Sequence, residues 1–235
     1  MTKIAIIPAR GGSKRIPRKN IKLFLNEPII AYSIKAAIDS KLFDKIMVST
    51  DDREIAEIAI KYGAEVPFLR SKENADDFAT TVDVLLEVFE KYKGLGEEFQ
   101  KACCIYPTAP FVTSHSLTKA FEKLEKNNFD CVFPVLKYSF PIQRALKVDQ
   151  NIGRMEMFFP KFQKSRSQDL EISYHDSGQF YFFNVEAITK KGKLWTDNTG
   201  VIEISELEGQ DIDNPIDWKI AELKYKMLNE KKDFI

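Results

Sequence analysis

The 235-residue chain is poor in several things, and each shortage argues against a class of function. It has three cysteines, Cys103, Cys104 and Cys131, an odd number with two adjacent and no C-x-x-C spacing. That pattern argues against a disulfide framework or a cysteine metal knuckle and predicts buried, reduced thiols. Its two histidines, His115 and His175, show no partner pattern, so neither reads as a metal ligand or a catalytic base. Net charge is missing too: 35 basic side chains balance 35 acidic ones, which argues against nucleic acid or an anionic membrane as the main partner. No apolar stretch approaches the ~18 residues needed to span a bilayer. The first apolar run is short and broken by Pro8 and Arg10, so no secretory signal is predicted and the expected compartment is the cytoplasm.

What is present suits a globular enzyme. At 44% hydrophobic and 30% charged residues, the chain can bury a full core. One domain over residues 1–235 is expected, with a small inserted lobe at about 137–178. The densest signal lies at Lys3–Asn20, K-I-A-I-I-P-A-R-G-G-S-K-R-I-P-R-K-N. Lys3 to Ala9 reads as a buried parallel strand. It ends in Gly11-Gly12, which a sheet does not favour. From Arg10 to Lys22 there are six basic residues (Arg10, Lys14, Arg15, Arg18, Lys19, Lys22) and no acidic one. Bare amides and cations at the carboxyl end of a strand suit a polyphosphate; a solvated basic loop is the plainer alternative. The loop has neither the spacing of a Walker A motif nor the third glycine of a dinucleotide fingerprint.

Alternation of strands and helices runs on from there. Helices are predicted from Pro28 to Ile38, from Asp51 (as cap) to Gly63, over Thr80–Tyr92 and over Ser116–Lys126. Strands are predicted at Lys45–Thr50, Glu65–Leu69, Ala102–Tyr106 and Cys131–Val135. Such alternation gives a mostly parallel sheet flanked by helices. Helical spacing is then lost from Lys137 to Gln168, a window with seven basic and two acidic residues. It carries Phe140, Met155, Met157, Phe158, Phe159 and Phe162, apolar surface that a partner subunit is suited to cover. Gln179–Val185 and Thr199–Ile204 read as strands. A last amphipathic helix over Ile216–Leu228 offers Trp218, Ala221, Leu223, Tyr225 and Leu228 for packing.

Asp211-Ile212-Asp213 is the second chemical signal. Two carboxylates one residue apart in an extended segment share a face, and hard oxygen ligands suit Mg²⁺ beside substrate phosphates. A solvated turn is the alternative for D-x-D alone. Asp217 reads as structural.

The N-terminal stretch I-P-A-R-G-G-S-K-R-I-P-R-K-N resembles the first motif of the CMP-sugar synthetases, the cytidylyltransferases that activate nonulosonic acids. G-Q-D-I-D-N-P-I-D-W resembles their D-I-D motif near the C-terminus. In order between them, Phe68-Leu69-Arg70-Ser71, Asp76–Thr81 and Tyr106-Pro107-Thr108-Ala109-Pro110 are similar to further family segments. Tyr106 stands where the sialic-acid enzymes have glutamine, which puts N-acetylneuraminate in doubt as the acceptor. The runs K-Y-S-F-P-I-Q-R-A-L and S-G-Q-F-Y most resemble the pseudaminic acid branch.

The resemblance implies a three-layer Rossmann-like fold, CTP and an acidic nine-carbon sugar as substrates, Mg²⁺ as cofactor and a homodimer joined through the inserted lobe. It implies nucleotide contacts from Ala9, Arg10, Gly11, Gly12, Ser13, Lys14, Lys19, Asn20, Arg70, Thr81, Pro107 and Thr108. Acceptor contacts fall to Tyr106, Lys137, Arg144, Arg166, Gln179 and Tyr181, and metal binding to Asp211 and Asp213. Arg10, Lys19 and Asp211 are the expected catalytic groups. A guanidinium is well shaped to grip the acceptor's carboxylate in two places. N-acetylneuraminate, legionaminate or 3-deoxy-octulosonate as acceptor, and a catalytically silent CTP-binding regulator, are the alternatives.

Overall fold

The computed structural model describes residues 1–230. Strand β1 (Lys3–Pro8) runs into the basic loop, and a two-stranded ribbon, β2 (Leu23–Phe24) and β3 (Glu27–Pro28), delivers the chain to α1 (Ile29–Ser40). There follow β4 (Lys45–Ser49), α2 (Arg53–Lys61), α3 (Thr81–Gly94), β5 (Lys101–Ile105), α4 (Ser114–Asn127) and β6 (Cys131–Lys137). The inserted segment carries a small hairpin, β7 (Leu146–Val148) with β8 (Met155–Met157). The chain returns through β9 (Tyr174–Asp176), β10 (Phe180–Asn184) and α5 (Val185–Lys191), then ends in β11 (Thr199–Glu203) and α6 (Pro215–Glu230).

The main sheet has the order β11-β6-β10-β5-β1-β4, with β9 also paired to β6. β1 pairs in parallel with β4 and β5, and β11 in parallel with β6. β9 and β10 run antiparallel to β6, because the chain comes back from the inserted segment without a crossover helix. Between β9 and β10, Gly178 takes φ +65° and kinks the run.

Side-chain alternation in β1 feeds two cores. Ala5 and Ile7 pack with Ile30, Ile34, Leu117 and Leu124 from α1 and α4. Ile4 and Ile6 pack with Leu85, Val88 and Tyr92 of α3 and Ile188 of α5. The result is the expected three layers, helix, sheet and helix. The three cysteines are buried and free, and burial pushes their thiols up. A third cluster joins Ile16 of the basic loop, Phe24, Ile212 and Trp218 of α6. This cluster fixes the last helix over the loop that follows β1.

Three expectations about elements need correction. Glu65–Leu69 is not a strand: it makes a single bridge, Met47 to Glu65, and then turns away to bring Arg70 back to Thr50. The cap of α2 is Asp52, whose carboxylate accepts the Ile55 N–H, and not Asp51. Leu223 of α6 faces solvent at 62% exposure, while Trp218 and Ala221 are buried. The other predicted elements stand, shifted by a residue or two at their ends.

Candidate active site

At the carboxyl ends of β1 and β5 a cavity of about 380 Å³ opens between the basic loop, the N-terminus of α3 and the segment before α6. Open parallel sheets place ligands here because neighbouring strands lead their loops apart. Arg10, Ser13, Lys14, Lys19 and Asn20 line it from the first loop, and Arg70 and Thr81 from the second. Tyr106, Pro107 and Thr108 come from the end of β5, and Asp211 from the C-terminal segment.

The loop is held by bonds along its whole length. Buried Asn20 donates from Nδ2 to the Arg10 carbonyl at 2.8 Å. Arg18 has a left-handed backbone, φ 53°, and reaches Asp52 at 2.5 Å and also Glu54, tying the loop to the start of α2. The Gly11 N–H donates to Asp51 Oδ1 at 2.9 Å. That corrects the expectation of a bare amide there: the Gly11 N–H is already engaged inside the protein. The sequence conceals this because Asp51 is forty residues away and reads as a helix cap.

Lys19 is half-buried. Its Nζ donates to the Ile212 carbonyl at 2.6 Å and lies 3.8 Å from Asp213. Burial lowers the Lys19 pKa, and the nearby Asp213 and Asp211 partly offset the shift. Asp213 also pairs with Arg15 at 2.8 Å. Ile212, between the two carboxylates, turns into the core at 1% exposure, so the extended-segment alternation holds. Asp217 accepts the Asp213 and Asn214 N–H groups and keeps this turn in shape, a structural role.

Asp211 makes no salt bridge among the described residues, and burial together with the Asp213 charge raises its pKa. A raised carboxyl beside a second one, on a cavity wall, is an arrangement that a divalent cation relieves. No group of three or more His, Cys, Asp or Glu side chains is placed to hold a metal among the described residues. A two-carboxylate donor set leaves the other positions to phosphates and water, which suits Mg²⁺.

Arg70 is buried at 9% exposure, donating from Nη2 to the Ser49 carbonyl at 2.5 Å and from Nε to Ser49 Oγ at 3.1 Å. Burial lowers its pKa against the pull of Asp51 and Glu87. Thr80 caps α3 with Asp83 in a capping box, which frees Thr81 to face the cavity, 3.3 Å from the Tyr106 phenol.

The model of the cytidylyltransferase family matches residues 4–182. The chain belongs to the cytidylyltransferase family. It is 41% identical to the pseudaminic acid cytidylyltransferase of Campylobacter jejuni, covering 98% of this chain and 99% of that one. It is 33% identical to the CMP-N,N'-diacetyllegionaminic acid synthase of Legionella pneumophila, covering 97% of each. A solved structure of a CMP:2-keto-3-deoxy-manno-octonic acid synthetase complexed with CTP superposes with a TM-score of 0.71 at 15% identity, over 98% of this chain and 100% of that one. That likeness confirms the Rossmann-like fold.

As a member of this family the enzyme is a CTP-dependent nucleotidyltransferase. Not every residue singled out in its sequence reaches the cavity. Ala9 is buried, Gly12 is exposed and Asp213 is paired with Arg15, and none of the three lines the cavity. Tyr181 and Gln179 are buried behind Tyr106: Tyr181 hydrogen-bonds Asp176, and Gln179 donates to the Glu208 carbonyl. Lys137, Arg144 and Arg166 lie on the inserted segment, outside the cavity of their own chain. Arg166 is paired with Asp169 at 2.7 Å, and Arg144 donates to Ser167 at 3.2 Å. Two acidic residues on the wall, Asp76 and Asp77, lie in the segment matched to the family but were assigned no role from sequence. The one signal for them was an Asp-Asp pair in a loop facing a cationic one.

Proposed function

We propose that the protein transfers CMP from CTP to the anomeric oxygen of a nonulosonic acid, with pseudaminic acid the favoured acceptor. The observation that carries the reading is the convergence of Arg10, Lys14, Lys19 and Asp211 on one cavity at the carboxyl end of the sheet. The acceptor is inferred from the printed activity of the relative at 41% identity over nearly the whole chain.

In this reading Arg10, Lys14 and Lys19 neutralise and align the triphosphate, while the Ser13 N–H, already donated to the Gly11 carbonyl at 3.0 Å, shapes the loop that carries them. Phosphoryl transfer needs mainly such alignment and charge compensation. Arg70, Thr81, Pro107 and Thr108 border the cytidine, and Tyr106 borders the acceptor. Asp211 with Asp213 would hold Mg²⁺, which neutralises phosphate charge and favours the acceptor oxygen as nucleophile. Lys19 fixes the Ile212 carbonyl and so sets where that carboxylate pair stands relative to the loop.

A homodimer belongs to the same proposal. Lys137, Arg144 and Arg166 serve an acidic acceptor only if a neighbouring subunit brings them to a cavity. Phe140, Met155, Phe158 and Phe159 are exposed on the same segment and would be covered by that contact. Pyrophosphate release should be measured with CTP and a panel of pseudaminate, legionaminate, N-acetylneuraminate and 3-deoxy-octulosonate. Turnover fastest with pseudaminate is expected. Turnover with another acid alone transfers the reading to that acid, and none at all defeats it.

A further inference from the structure

The phosphate-loop cations already hold an anion of the protein's own. Asp77 lies 2.9 Å from Arg10 and also pairs with Lys14, and Arg10 donates to the Asp76 carbonyl at 2.8 Å. Arg10 and Lys14 hang from the loop after β1, whereas Asp77 comes from the irregular stretch before α3. The carboxylate thus reaches in from the facing wall and occupies the charge that the loop offers. Lys14, in turn, lowers the Asp77 pKa, which favours the charged carboxylate.

We propose that Asp77 is a tethered counter-ion that exchanges with the terminal phosphates of the nucleotide, yielding to CTP on entry and helping to expel pyrophosphate on exit. The inference rests on the reading of this loop as the triphosphate site. Two negative groups cannot share Arg10 and Lys14 without like-charge repulsion, so a pyrophosphate moiety seated there displaces the carboxylate. A carboxylate on a short tether competes at an effective concentration on the order of millimolar, without diffusing away. CTP has its base and ribose to hold it against this competitor. Pyrophosphate, once cut free, has only the cations. The competition therefore falls hardest on the product that must leave.

Calorimetry on the full-length enzyme tests this without any acceptor sugar. Pyrophosphate, CTP and CMP are titrated into wild type, Asp77→Asn and Asp77→Ala. Exposed ion pairs are individually weak, so pyrophosphate should bind about three- to tenfold tighter to both variants, with CTP gaining no more than pyrophosphate does. CMP lacks the two phosphates that exchange with Asp77, and its affinity should stay within about twofold. Unchanged or weaker pyrophosphate binding in both variants overturns the proposal, because Asp77 then orders the cations and does not compete for them. An equal gain for CMP also overturns it, since removing one negative charge from the region would explain the result. If wild type binds neither CTP nor pyrophosphate, it is the phosphate-loop reading that has failed, and this inference falls with it.

Discussion

At Gly11 the protein has no room for a side chain: a methyl group there would stand 2.7 Å from Asp52 Oδ2. The same Asp52 caps α2 and holds Arg18, and neighbouring Asp51 takes the Gly11 N–H. One glycine thereby lets a strand end, a helix start and an arginine meet. Lys19 ties this assembly to the carboxylate pair through the Ile212 carbonyl, so its replacement should reach the chemistry. Lys19→Ala is expected to lower kcat/KM by at least about tenfold, a loss of about 1.4 kcal/mol of transition-state stabilisation. Kinetics like those of wild type would remove Lys19 from the nucleotide site, and equal use of ATP by the wild-type enzyme would count against selection of the cytosine base. Asp211→Asn keeps the shape and one oxygen but loses the charge, so kcat should fall more than KM changes, with partial rescue by excess Mg²⁺. Asp213→Asn should behave alike if both hold one ion. A double variant that stays near wild type after EDTA treatment and Mg²⁺ addition would falsify the metal assignment.

Helix α3 positions the wall opposite the loop, and Glu87 ties that wall down. Its carboxylate accepts from the Ser71 N–H at 2.8 Å, Ser71 Oγ at 3.0 Å and Asn74 Nδ2 at 2.6 Å, and pairs with Lys91 at 2.6 Å. Burial pushes this carboxyl up, but the bonds from Lys91, Asn74 and Ser71 outweigh it and bring the pKa from 4.5 down to about 2. A depressed carboxyl stabilises the fold above its unfolded value and loses that contribution as pH falls through the folded one. At about 1.4 kcal/mol per unit, the contribution near neutral pH is at most about 3 kcal/mol. Glu87→Gln should therefore unfold more readily at pH 7, with the gap to wild type closing between pH 4.5 and pH 2. Denaturant melts across that range give the comparison; a gap that does not change with pH would show that the charge is irrelevant to the tie.

For the whole molecule the open question is what covers the inserted segment. Phe140 is 82% exposed, Phe158 58% and Met155 56%, a concentration of apolar surface on this segment that a monomer gains nothing by keeping wet. Met157 and Phe162, also expected on this surface, are partly tucked in. Sedimentation at micromolar protein should give a dimer, and Phe140→Asp should shift it toward monomer while leaving the melting of the main sheet nearly unchanged. A fully active wild-type monomer would count against an acceptor site completed by a neighbour.

Local chemistry was enough, in this chain, for elements and for charged ends. The apolar run Ile4 to Ile7, the glycine pair after it, the helix start at Thr80 and the spacing of Asp211 and Asp213 each depend on near neighbours, and each could be read directly. Partners across distance could not be read. Asp52 caps α2 in place of Asp51, which instead takes the Gly11 N–H of a loop forty residues earlier. Glu65–Leu69 has strand composition, yet the chain there must bring Arg70 to Ser49, so the pairing stops after one bridge. The pairing of Asp77 with Arg10 and Lys14 arises only when the wall before α3 is brought opposite the loop. Periodicity and capping act over one turn or one pleat and are written in the sequence, whereas ion pairing between loops depends on packing and is decided by the fold.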